Sequence, residues 1–148
     1  MRKYNSRVSK DIKQEYPIKG MDFSIAGEAS SSIKHILQLI GFAPAIIRRA
    51  AIAAYETEMN LVIHAREGLL KTVISSEKIE IIAHDTGPGI PDIDLAMKEG
   101  FSTAPDHIRE MGFGAGMGLP NIKNVSDIFE LESAVGKGTM LKVVIYNH

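Results

Sequence analysis

Glu56 and Asn60 lie four residues apart in a stretch with helical patterning, so their side chains stand one turn apart on the same face. An amide oxygen can ligate a divalent cation whose other ligands are phosphate oxygens and water, and a carboxylate one turn away can orient or deprotonate an attacking hydroxyl. Taken alone, such a pair also fits the solvated face of an amphipathic helix. Three glycine motifs follow in order and tip the balance toward chemistry. Asp85-Thr86-Gly87-Pro88-Gly89 ends an apolar run from Ile79 to Ala83, and a carboxylate at the end of a buried strand must find a hydrogen-bond donor. Gly112, Gly114, Gly116 and Gly118 alternate along the next motif, with Leu119 and Pro120 behind them at the start of a helix. Backbone N–H groups free to turn toward an anion, backed by a helix N-terminus, make a phosphate site. Gly136-Lys137-Gly138-Thr139 then sets a hydroxyl after a hairpin turn. A dinucleotide fingerprint beginning at Gly112 or Gly114 would need glycine where Met117 or Leu119 stands, and the last motif lacks the leading glycine and Lys-Thr pair of a P-loop.

The elements that must position these groups follow from the pattern. Residues 1–14 read as a flexible tail rich in Arg, Lys, Ser and Asn, with a single domain over 15–148. Residues 15–26 are expected to be extended, as one strand or as a pair turning at Lys19-Gly20. Ile33, Ile36, Leu37 and Ile40 predict a helix over 31–40 closed by Gly41, and Pro44 opens a second helix that runs to about 65, on which Glu58 is expected to be exposed. Strands are predicted over 69–75 and 78–83 around a tight Ser-Ser-Glu turn, then a short helix over 91–99 and a loop over 101–111. A helix from Pro120 to about 127 and two strands over 128–133 and 139–146 complete the chain. This order gives an α+β two-layer sandwich, its mixed, mostly antiparallel sheet covered on one face by helices.

With 148 residues, 45% of them hydrophobic, the chain can bury one sizeable core. A formal net charge of −1 gives no general attraction to nucleic acid, although Arg48 and Arg49 form a local basic spot. The absence of cysteine excludes disulfides, thiolate metal sites and cysteine nucleophiles. No apolar run is long enough to span a bilayer and residues 1–19 are too polar for a secretory leader, so the expected compartment is the cytoplasm, with no nucleic-acid or membrane partner.

The Glu56/Asn60 pair followed by the Asp85, Gly112 and Gly136 motifs resembles the ordered nucleotide boxes of the GHKL ATPase superfamily, whose Bergerat ATP-binding fold has the same order of elements. Within it, His64-Ala65, Gly100-Phe101-Ser102-Thr103 and Gly118-Leu119-Pro120 look like the small bacterial anti-sigma-factor and switch-protein kinases, over about residues 16–146. The resemblance implies ATP with Mg²⁺, Asn60 as the metal ligand and Glu56 as the catalytic base. It gives Asp85 to the adenine amino group, Gly87 and Gly89 to close passage of the backbone beside the base, and Thr139 to a hydroxyl near adenine. Gly112, Gly114, Gly116, Gly118 and Leu119 fall around the phosphates, and the segment before them becomes an ATP lid with Arg109 as a candidate γ-phosphate contact. The implied partner is a STAS-domain antagonist, a sigma factor or a phosphatase, and a homodimer is also open. Thr57 and Glu58 stand where such kinases usually have small apolar residues.

Two activities fit this reading. In one, the γ-phosphoryl group of Mg-ATP passes to a Ser or Thr of the partner protein. In the other, ATP shapes a lid that shapes a docking surface, and no phosphoryl transfer occurs. A sensor-kinase domain with His35 as phospho-acceptor is disfavoured, because Ile36-Leu37 replace the acidic and Arg residues that usually follow such a histidine.

Overall fold

The computed structural model describes residues 11–98 and 118–148. Strand β1 (Ile12–Lys19) leads through a 3₁₀ turn (Phe23–Ile25) into helices α1 (Glu28–Ile40) and α2 (Pro44–His64). Strands β2 (Glu67–Ile74) and β3 (Lys78–Thr86), a short α3 (Ile93–Ala96), α4 (Gly118–Val125) and the hairpin of β4 (Ile128–Ala134) and β5 (Gly138–Tyr146) follow. β1 therefore begins before residue 15, and it ends at Lys19, where residues 15–26 had been expected to be extended throughout. The expected loop over 101–111 and residues 1–10 of the expected tail lie outside the described residues.

The five strands run in the order β1-β2-β3-β5-β4. All four pairings among the described residues are antiparallel, and with the helices packed on the sheet the chain has the expected α+β architecture. Tight turns produce two of them: between β2 and β3, the Ser75 hydroxyl accepts the Glu77 and Lys78 N–H groups at 3.2 Å each. β4 lies at the edge of the sheet, and β5 returns between β3 and β4.

One sheet face is buried by strict alternation, and all but Thr72 on it are apolar: Leu70, Thr72, Ile74, Ile79, Ile81, Ala83, Leu141, Val143 and Ile145. α2 lies over it with Ala50, Ala53, Ala54, Leu61 and Val62, α1 adds Ile33 and Leu37, and α4 adds Ile122, all in one core cluster. Burial of each large aliphatic side chain here stabilises the fold by roughly 1.5–3 kcal/mol. Among the described residues no helix is long and apolar enough to cross a membrane.

Two expectations are corrected. α1 starts at Glu28 rather than at residue 31, and Glu58, expected to be exposed, is only 1% exposed. The two facts have one cause. The N-cap of α1 is Gly27, which has no side chain to cap with, and the Glu58 carboxylate on α2 accepts the N–H groups of Gly27, Ala29 and Ser30 at 3.0, 3.3 and 2.9 Å. A carboxylate at a helix N-terminus satisfies otherwise orphaned donors and meets the positive end of the helix dipole. The basic spot is also divided: Arg49 pairs with Asp127 at 3.1 Å and donates to the Val125 carbonyl at 3.0 Å, fastening α2 to the end of α4.

Candidate functional site

The helical period of α2 brings Glu56 and Asn60 to one side, and both are half-buried. Gly118, the first residue of α4, faces them. A Cβ at that position would stand 3.1 Å from Asn60 Oδ1 and 3.3 Å from Glu56 Oε2, so glycine lets these two side-chain tips sit close against the start of α4. Burial pushes the Glu56 carboxyl above its usual range, and a hydrogen bond from the Asn121 side chain partly opposes that rise. Leu119, next to Gly118, packs against the core, and Pro120 is buried.

Asp85 and Thr139 stand opposite each other near the ends of β3 and β5. Burial raises the Asp85 carboxyl above its usual range, opposed by hydrogen bonds from the backbone N–H groups of Thr139 and Gly87. Gly138 has a φ of +129°, and a Cβ on it would lie 2.0 Å from the Asp85 carbonyl oxygen, so the strand pair closes around the carboxylate only with glycine there. The Thr139 hydroxyl lies 2.8 Å from that of Ser133, which accepts the Ile90 N–H at 2.7 Å. Gly136 N–H donates to the Pro88 carbonyl at 2.9 Å, and Gly89 lies beside Ala134. The first and third glycine motifs thus form a single surface.

α2 connects the two ends. Glu56, Asn60 and His64 follow at successive four-residue steps, about 12 Å of helix at 1.5 Å per residue. The His64 carbonyl lies 3.0 Å from where a Cβ on Gly87 would be. One edge of α2 therefore leads from Gly118 to Gly87, with carboxylate and amide at one end and the Asp85 carboxylate at the other. Arg109, Gly112, Gly114 and Gly116 lie outside the described residues.

Two participants were missed in the sequence. Ser133 was detectable in principle, because the hairpin register pairs it with Thr139. Asn121 had no such signal, since its role depends on how closely α4 approaches α2. Among the described residues no group of three His, Cys, Asp or Glu side chains is placed to hold a metal ion. The neutral Asn60 oxygen beside the Gly118 cradle fits Mg²⁺ that takes most of its ligands from phosphate and water.

Residues 42–146 match the family described as histidine kinase-, DNA gyrase B-, and HSP90-like ATPase. Over 115 residues the chain is 32% identical to the serine/threonine-protein kinase RsbT of Bacillus subtilis (strain 168), an alignment covering 75% of this chain and 80% of that protein. It is 36% identical over 99 residues to the anti-sigma F factor of Thermoanaerobacter sp. (strain X514), covering 64% of this chain and 66% of the relative. With the anti-sigma F factor of Geobacillus stearothermophilus the identity is 30% over 93 residues, covering 63% and 57%.

Proposed function

Because the chain belongs to the histidine kinase-, DNA gyrase B-, and HSP90-like ATPase family, we propose that it binds Mg-ATP along α2 and transfers the γ-phosphoryl group to a Ser or Thr hydroxyl of a partner protein. The observation that supports this reading is the convergence of Glu56 and Asn60 on Gly118, where the start of α4 meets a carboxylate and a metal-competent amide. The names of its relatives, a serine/threonine-protein kinase and anti-sigma F factors, support the same class of activity.

In this reading Asp85 accepts the adenine amino group while Thr139 and Gly87 hold the carboxylate from behind. The surface joined by Gly87, Gly89 and Ser133 would flank the ring, and Gly118 at the far end of α2 would meet the phosphates. Asn60 would hold Mg²⁺, which would offset phosphate charge. Glu56 orients the partner's hydroxyl and accepts its proton as the hydroxyl oxygen bonds to the γ-phosphorus and the bond to the bridging oxygen of ADP breaks. Burial suits Glu56 to this work, since a carboxylate with a raised proton affinity is a better base. The same reading places the protein in the cytoplasm. It also makes the acceptor a STAS-domain antagonist, with a sigma factor or a phosphatase as further partners.

Glu56→Gln tests it. The substitution preserves shape and removes basicity, so ATP affinity stays within a few-fold while transfer falls by roughly 10²–10⁴. The assay is phosphorylation of candidate STAS-domain proteins by the purified chain. If no candidate receives phosphate while ATP still changes affinity for one of them, the protein is a nucleotide-dependent binding module instead.

A further inference from the structure

We propose that Asn121 is a positioning residue that holds the Glu56 carboxylate in its working orientation and ties that orientation to the phosphate-facing turn of α4. For its effect on rate, the proposal rests on the phosphoryl-transfer reading above. Its structural part does not.

Glu56 is a long side chain with several rotatable bonds, one turn from the candidate metal ligand on the same helix. An unrestrained carboxylate there would be drawn onto a cation held by Asn60 and would become a ligand instead of a base. The start of α4 closes on that carboxylate from the other side, where a Cβ on Gly118 would stand 3.3 Å from Glu56 Oε2, and the Asn121 amide is in reach to donate to it. Asn121 is half-buried and lies three residues after Gly118, within the first turn of the same helix. The turn that faces the phosphates therefore also grips Glu56. Residue type matters here. A lysine at this position would form an ion pair and hold the carboxylate ionised and weakly basic, whereas a neutral amide fixes geometry without adding charge.

The variants are Asn121→Leu, which keeps the shape but removes the donor, and Asn121→Gln, which restores an amide. With an acceptor protein from the phosphorylation screen, Asn121→Leu lowers kcat by about 10²-fold, as expected for a misplaced catalytic group. KM for ATP and for the acceptor stays within a few-fold, and Asn121→Gln recovers a substantial part of the rate. Wild-type kcat in Asn121→Leu, or a change confined to KM, overturns the proposal while leaving the kinase reading intact. A second measurement needs no acceptor. In ¹⁵N-labelled protein the Asn121 side-chain amide resonances should move when Glu56 is replaced by Ala, and again when Mg²⁺ and a non-hydrolysable ATP analogue are added. If Glu56→Ala leaves those resonances in place, the contact is absent and the proposal fails. If they move but no acceptor is ever phosphorylated, the contact stands and the kinase reading fails.

Discussion

Glu58 Oε1 accepts the Ser30 backbone N–H at 2.9 Å, joining the middle of α2 to the first turn of α1. At 100° per residue, position 58 lies on the side of α2 opposite both Glu56 and Asn60. The helix that carries the candidate chemistry on one side thus clamps a second helix on the other. Glu58→Ala removes the carboxylate that accepts three amide donors, two of them buried, and should destabilise the protein by about 3 kcal/mol. Thermal unfolding followed by circular dichroism should show a Tm lower by roughly 10 °C. An unchanged Tm would mean that water replaces the carboxylate at no cost.

Asn60→Ala should weaken Mg-ATP binding by at least about tenfold, near 1.4 kcal/mol, while folding stays close to normal because alanine is the best helix former. Calorimetry with ATP, with and without Mg²⁺, separates the two effects. Magnesium-dependent affinity that survives the substitution removes Asn60 from the metal site.

Asp85 should make the site prefer ATP over GTP by about 10²-fold or more, because the six-position oxygen of guanine would face a carboxylate with no proton between them. Asp85→Asn supplies a donor as well as an acceptor and should narrow the gap. Competition against a fluorescent nucleotide measures both, and equal binding by wild type would contradict the assignment of Asp85 to the base.

Thr72 points into the core from β2 at 1% exposure, and its hydroxyl has no hydrogen-bond partner among the described residues. Thr72→Val keeps the branched shape, favours the strand and removes a buried polar atom, so it should stabilise the fold by about 1 kcal/mol. The urea midpoint should rise. A lower midpoint would point to a bound water at that hydroxyl.

Asp127 is held below the usual carboxylate range, first by the Tyr146 backbone N–H and then by Arg49. A depressed folded-state pKa contributes stability that is present above the unfolded value of about 3.9 and is lost as pH falls through the lower folded value. Asp127→Asn should therefore be destabilising at neutral pH, and the gap to wild type should close in strong acid. A gap independent of pH would assign the effect to packing.

The sequence by itself determined relations within elements. The 3.6-residue period put Glu56 and Asn60 on one face, Pro44 and Gly41 marked helix ends that the structure reproduces, and the Ser75 turn and the Gly136-Lys137-Gly138 turn fixed two hairpins. These are short-range consequences of backbone geometry and turn chemistry, and they need no knowledge of what lies opposite. The same period put Glu58 on the far side of its helix, but whether that side meets water or the open N-terminus of α1 depends on where α1 packs. Asn121 comes within reach of Glu56 because α4 packs against α2, and Ser133 reaches Ile90 because the sheet carries β4 past the end of β3. Such contacts join residues far apart in the chain and are set by core packing and chain closure, which leave no periodic trace in the sequence, so only the tertiary structure decided them.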